Sequence, residues 1–69
     1  MNVTERPRTL GDILRRATGY LEQAGVDTPR LDAELLLAHA LGLSRIALYT
    51  EHDRPLDDGE RAAYRELVR

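Results

Sequence analysis

The sequence lacks cysteine, lysine, tryptophan and phenylalanine. The absence of cysteine excludes both disulfide bonds and a thiolate metal site. Because three tyrosines are the only aromatic residues, the core has to be built from Leu, Ile, Val and Ala. A chain of 69 residues makes one small domain at most, and a domain of this size buries only about 60% of the surface of its unfolded form.

The sequence also lacks a large excess of either positive or negative charge. Ten basic residues, all arginine, stand against twelve acids, and the net charge is −2. This balance gives no general attraction to nucleic acid or to an anionic membrane, and we attribute the arginine usage to codon bias in a GC-rich genome. The opening M-N-V-T-E-R-P-R contains no apolar run, so neither a signal peptide nor a membrane span is predicted. We expect a cytoplasmic, soluble protein.

Hydrophobic spacing predicts an all-α fold, a small bundle of four or five short helices, and no segment has the period of a strand. Residues 1–8 are polar and are interpreted as a flexible lead-in to a helical domain at 9–69. The first helix begins at Thr9, a helix-capping residue, with Asp12 in its first turn, and ends at Gly25. Its apolar face consists of Leu10, Ile13, Leu14, Ala17, Leu21 and Ala24.

A central helix at about residues 29–41 organises the rest of the bundle. Thr28 is able to cap it, Pro29 suits its first position, and Gly42 can end it. Its apolar residues form two opposite faces, which predicts partners on both sides. One face has Leu31, Leu35 and Ala38, and the other has Ala33, Leu36 and Ala40.

Two further helices are predicted after Gly42. Ser44 caps a short one over about residues 45–50, and Asp57 with Glu60 forms a capping box for the last one. The last helix is predicted to bury Ala63, Tyr64, Leu67 and Val68, and to leave Arg61, Arg65, Glu66 and Arg69 outside. Since no terminator precedes its end at Arg69, we expect the chain to be a fragment of a longer protein.

The residues offer little catalytic chemistry. The five glycines are scattered at helix ends and along one helix, so no phosphate-binding loop is predicted. Asp32 and His39 share a flank of the central helix but lie two turns apart, and His52 falls in a loop. We therefore predict no catalytic, cofactor-binding or metal-binding residue.

Residues 38–49 also fit a helix-turn-helix, with a small residue, a turn glycine and a capping serine. A recognition helix needs basic side chains towards the DNA groove. Here the second helix offers only Arg45 and runs into Glu51 and Asp53. A DNA-binding protein is kept as the alternative, together with a free-standing helical adaptor or dimerisation module.

The chain resembles the N-terminal helical domain of the HemK/PrmC family, which methylates peptide chain release factors. The resemblance is carried by I-L-R-R-A at 13–17, L-E-Q-A-G at 21–25, P-R-L-D-A-E-L-L-L-A-H-A-L-G at 29–42 and the helix at 56–69. It implies a parent enzyme that transfers a methyl group from S-adenosylmethionine to the glutamine of a Gly-Gly-Gln loop. The family's glycine-rich cofactor loop and Asn-Pro-Pro-Tyr motif do not occur here, so no catalytic or cofactor-binding residue is carried over.

The resemblance implies a non-catalytic substrate-recognition domain whose partners are a release factor and the parent's own catalytic domain, with no direct contact to nucleic acid or membrane. The family motif, Arg30, Asp32, Ala33, Glu34, Leu36 and Leu37, is predicted to be structural, with Arg30 bridging to an acid on a neighbouring helix. The candidate partner-binding residues are Arg15, Arg16, Tyr20, Glu51 and Arg54.

Overall fold

The computed structural model describes residues 9–69, and the lead-in predicted at residues 1–8 lies outside them. The described residues form four α-helices, which confirms the predicted all-α bundle: α1 (Leu10–Gln23), α2 (Pro29–Leu41), α3 (Arg45–Thr50) and α4 (Asp58–Val68). Helix α2 is central because it packs against all three of the others. None of the four helices is long and apolar enough to cross a membrane.

Three of the helices begin at the predicted caps. The Thr9 hydroxyl accepts from the N–H of Asp12 at 3.1 Å, and the Ser44 hydroxyl accepts from Ala47 at 3.1 Å. Asp57 and Glu60 form the complete capping box, each side chain accepting from the backbone of the other. These contacts satisfy N–H groups that a helix start leaves unpaired.

The start of α2 differs from the expectation. Thr28 stands at the N-cap position but makes no capping bond, and its hydroxyl instead donates to the Asp32 carboxylate at 3.2 Å. Pro29 follows and has no N–H to satisfy. At the other end Gly42 adopts the left-handed conformation, with φ of 68°, and ends the helix as predicted.

The start of α1 is joined to the loop at residues 51–57. The N–H of Leu10 donates to the carbonyl of Arg54 at 2.8 Å, and that of Gly11 donates to the carbonyl of His52 at 2.9 Å. Main-chain hydrogen bonds therefore connect the start of the described chain to the segment that leads into α4.

One core cluster lies between the helices. Tyr64 is its only aromatic member, and its hydroxyl donates to the carbonyl of Ala33 at 2.9 Å, which ties α4 to α2. Burial raises the pKa of the Tyr64 phenol above its ordinary value, so the hydroxyl remains a donor at neutral pH. The buried apolar residues are Leu10, Leu14, Ala17, Leu21, Ala33, Leu37, Ala38, Leu48, Leu56 and Tyr64.

The prediction of two buried faces on α2 is wrong for one of them. Leu31 and Leu35 are 38% and 50% exposed, whereas the buried residues are Ala33, Glu34, Leu37 and Ala38. The physical reason is that α1, α3 and α4 pack around one broad half of α2. Within residues 9–69 the side that carries Leu31 and Leu35 is only partly covered.

The inward face of α4 is also rotated relative to the prediction. Tyr64 is buried and Val68 half-buried as expected, but Ala63 is exposed and Leu67 is 39% exposed. The Arg61 side chain, predicted to lie outside, is only 22% exposed. Arg61 precedes Tyr64 by three residues, so the anchored tyrosine brings this arginine to the same side of the helix.

Candidate functional site

The family motif on α2 centres on one buried carboxylate. Glu34 is 2% exposed. Its Oε2 accepts from Arg30 Nε at 2.9 Å and from the Tyr49 hydroxyl at 2.8 Å. Its Oε1 accepts from Nη2 and Nε of Arg45 at 2.7 and 3.1 Å. We call Arg30, Glu34, Arg45 and Tyr49 the Glu34 cluster.

These donors keep Glu34 charged although it is buried. Burial alone would raise the pKa of the carboxyl, but the hydrogen bonds from Arg30, Arg45 and Tyr49 outweigh it and hold that pKa below its ordinary value. In return, the bond to Glu34 raises the pKa of Arg45. The cluster is thus an ion-pair network that links α2 to α3.

The expectation that Arg30 bridges to a neighbouring helix is wrong, since its partner Glu34 lies on the same helix. The interhelical bridge comes from Arg45 instead. The other motif residues also face the protein itself: Ala33 and Leu37 are fully buried, and Leu36 packs against the core. Asp32 lies in the first turn of α2, where the helix dipole favours an acid.

The candidate partner-binding residues fall into two groups. Arg16 and Tyr20 are exposed and line a groove between α1 and α4, and Arg15 is exposed but bound to Asp12 at 2.5 Å. Glu51 and Arg54 lie elsewhere, in the loop at residues 51–57 that leads to α4. Arg54 donates to Glu51 at 3.2 Å and to Glu60 at 2.5 Å, so this pair braces the loop against α4.

The groove lies between α1 and α4 and has a volume of about 930 Å³. Both helices start at the same end of the domain, where Thr9 and Pro55 form an antiparallel bridge. Each helix packs against α2 more extensively than against the other, which leaves the groove open between them. We call it the α1–α4 groove, and its lining residues are Ile13, Arg16, Ala17, Tyr20, Asp58, Arg61, Ala62, Tyr64, Arg65, Val68 and Arg69.

Sequence reasoning missed most of this groove. Four of its lining residues are arginines, and only one, Asp58, is acidic. The sequence did contain one indication of the groove. Arg61, Arg65 and Arg69 recur every four residues and therefore lie along one face of α4. Periodicity alone could not show that this face meets Arg16 of α1.

The two histidines do not assemble a metal site. His39 is exposed on α2, and the Nδ1 atom of His52 lies 3.5 Å from the Asp53 carboxylate. Residues 9–69 contain no group of three or more His, Cys, Asp or Glu residues that could hold a metal ion.

The helix-turn-helix alternative gains no support from the contacts. Gly42 and Ser44 form the expected turn and cap, but α3 is only six residues long. Its one cation, Arg45, is bound by Glu34 rather than presented to a phosphate backbone.

Comparison with known proteins identifies the fold's family. Residues 12–69 match the family model described as the PrmC N-terminal domain. A release factor glutamine methyltransferase from Rhodopirellula baltica is 46% identical over 65 residues, 94% of this chain. Similar proteins of that name from Geobacter sulfurreducens and Chlorobaculum tepidum are 46% and 40% identical, over 96% and 94% of the chain.

The chain spans only 22–24% of the length of these three relatives. No solved structure gives a significant match. The family model nevertheless extends over all four helices except the first two residues of α1. The chain therefore belongs to the PrmC N-terminal domain family, the helical domain of release factor glutamine methyltransferases.

Proposed function

We propose that this domain is the non-catalytic substrate-recognition part of a release factor glutamine methyltransferase. The observation that carries the proposal is the family match over residues 12–69, together with relatives whose name states their substrate. The contacts support it, because the polar residues of the family motif are engaged inside the domain. What the domain offers to a partner is therefore its exposed surface, not its motif.

In this proposal the chemistry belongs to a separate catalytic domain. That domain holds S-adenosylmethionine, which supplies the methyl group for the glutamine side-chain nitrogen of the Gly-Gly-Gln loop. The helical domain binds a part of the release factor other than the Gly-Gly-Gln loop. Binding at a distance from the reacting atoms raises the local concentration of the substrate loop at the catalytic domain and orients it.

Methylation kinetics of the parent enzyme, with and without residues 1–69, test the proposal. The two substrates are an intact release factor and a short peptide that contains Gly-Gly-Gln. We expect the deletion to raise KM for the intact factor by about tenfold or more and to leave kcat/KM for the peptide nearly unchanged. The peptide reaction is the control for an intact catalytic domain. An unchanged KM for the intact factor would contradict the recognition role.

A helical dimerisation module is the second candidate, because Leu31 and Leu35 leave an apolar strip of α2 exposed. Such a strip is buried across the interface in a homodimer. Sedimentation of the chain over a range of concentrations decides the point. This candidate is favoured if the measured mass doubles as the concentration rises and if the variant Leu35→Glu keeps the mass of the monomer.

A further inference from the structure

We propose that the α1–α4 groove is the surface that receives the release factor, and that it binds an acidic segment carrying apolar side chains. The inference rests on the proposed recognition function and names the site and the chemistry of the contact. Three properties of the groove carry it: its charge, its floor and its shape.

The charge of the groove is opposite to that of the whole chain. Four arginines face one aspartate there, while the chain as a whole has a net charge of −2. Most arginines of the described residues are matched by acids. Outside the groove, Glu34 pairs with Arg30 and Arg45, Asp12 with Arg15, and Glu51 and Glu60 with Arg54. Within the groove, Arg61 pairs with Asp58, and Arg69 lies 3.7 Å from the Glu66 carboxylate.

Two groove arginines are different. Arg16 on α1 and Arg65 on α4 are exposed, and neither forms an ion pair within residues 9–69. They lie on opposite walls of the groove. Guanidinium groups on two facing walls can bind carboxylates of one segment lying between them, since the planar guanidinium fork matches a carboxylate.

The floor of the groove is apolar. Ile13, Ala17 and Val68 line it together with the ring of Tyr64, and Tyr20 is 55% exposed at its side. A volume of about 930 Å³ suits a few side chains of a short segment, not a broad flat surface. The floor therefore adds a requirement for apolar residues between the acidic ones.

Nucleic acid fits this groove less well than an acidic protein segment. A phosphate backbone offers no apolar side chains for the floor of the groove. The groove also has Asp58 on its wall. A protein segment satisfies both the arginines and the floor.

Binding of the 69-residue chain to a purified release factor, measured by calorimetry, tests the inference. The variant Arg16→Gln/Arg65→Gln removes two positive charges from the groove. The matched control, Gln23→Glu/Ala63→Glu, changes the net charge by the same amount at exposed positions of α1 and α4 outside the groove lining. We expect about a tenfold or greater loss of affinity for the groove variant and less than about a twofold change for the control.

Added salt should weaken wild-type binding more than binding by Arg16→Gln/Arg65→Gln, because the variant has lost the charges that salt screens. Circular dichroism checks that each variant keeps its helices. If the double variant loses them, the single variants Arg16→Gln and Arg65→Gln replace it, with Gln23→Glu as their control.

The outcomes separate the two proposals. If the wild-type chain binds and the groove variant binds equally well, the groove assignment is overturned and the recognition function stands. Amide chemical-shift changes centred on Leu31 and Leu35 instead of α1 and α4 would overturn it in the same way. If the wild-type chain does not bind the release factor at all, both proposals fail. Binding of a short DNA duplex in the groove, lost with Arg16→Gln/Arg65→Gln, would also overturn the proposed occupant.

Discussion

The Glu34 cluster and the α1–α4 groove use the same residue types with opposite results. In the cluster, two arginines and a tyrosine converge on a single buried carboxylate, and every charge has a partner. In the groove, Arg61 is paired with Asp58 and Arg69 with Glu66, but Arg16 and Arg65 form no ion pair within residues 9–69. The difference lies in the supply of acid, because arginines matched by an acid hold helices together and unmatched ones remain available to a partner.

The largest effect is expected from breaking the cluster. Glu34→Ala removes the acceptor of four hydrogen bonds from three residues and leaves a cavity where a buried side chain stood. Because the Arg30 and Arg45 side chains are 53% and 48% exposed, water can rehydrate them, so we expect a loss of about 2–3 kcal/mol, below the full cost of a broken buried pair. Urea unfolding of the chain measures it.

The matched control for this prediction is an arginine of the groove. Arg65→Ala should change the free energy of unfolding by less than about 0.5 kcal/mol, since it is an exposed side chain with no ion pair within residues 9–69. Equal losses for Glu34→Ala and Arg65→Ala would remove the contrast between the two regions.

The pH dependence of stability should show the same contrast. The folded-state pKa of Glu34 lies below its ordinary value of 4.5, so its charged form stabilises the fold above that pH. This contribution is lost as the pH falls through the lowered folded-state pKa. The difference in unfolding free energy between wild type and Glu34→Gln should therefore be constant from neutral pH to about pH 5 and shrink below it. A difference that stays constant in acid would argue against a charged Glu34.

An intermediate effect is expected at the residue that belongs to both the core and the groove. Tyr64→Phe removes the buried hydrogen bond to the Ala33 carbonyl but keeps the ring. We expect a loss of about 1 kcal/mol, the usual value of a neutral hydrogen bond, measured by thermal or urea unfolding. Tyr20→Phe is the control, since Tyr20 is 55% exposed. If Tyr64→Phe leaves the free energy of unfolding unchanged, the hydroxyl does not hold α4 on α2.

The smallest effect concerns two glycines of α1. Gly19→Ala should stabilise the chain by about 0.5–1 kcal/mol, because alanine favours a helix and nothing lies within 4 Å of the added methyl group. Gly11→Ala should stabilise the chain less than Gly19→Ala does, since its methyl group would collide with the imidazole of His52. In a His52→Ala background the gain from Gly11→Ala should return. Thermal unfolding of Gly19→Ala, Gly11→Ala, His52→Ala and the double variant Gly11→Ala/His52→Ala measures this. Equal gains at both glycines in the wild-type background would contradict this.

The helix boundaries could be predicted from the sequence because caps are local. Thr9, Ser44 and Asp57 each bond to a backbone N–H three residues away, so a few letters contain the whole interaction. Thr28 does not act as a cap, and its backbone differs from that of the three capping residues: its ψ is 70°, whereas Thr9, Ser44 and Asp57 are extended with ψ of 159°, 164° and 175°. The residue type alone does not show which backbone conformation the position adopts.

The side of each helix that is buried was harder to predict. Leu31, Leu35 and Leu67 are apolar and yet exposed, while Glu34 is charged and buried. Burial depends on where the other helices lie, and that information is spread over the whole chain. The groove has the same origin, since it exists only because α1 and α4 both pack on α2 and stay apart.

The junction between α1 and the loop before α4 has a consequence for how this sequence can vary. Leu10 and Gly11 bind the carbonyls of Arg54 and His52, and every amino acid provides a carbonyl. Substitutions at 52 and 54 therefore leave this junction intact, and at Arg54 they act only through its bonds to Glu51 and Glu60. An insertion or deletion of one residue here would shift both carbonyls out of register. At positions 52 and 54 the junction should therefore tolerate changes of residue type, whereas the spacing of the loop around them should not tolerate changes of length.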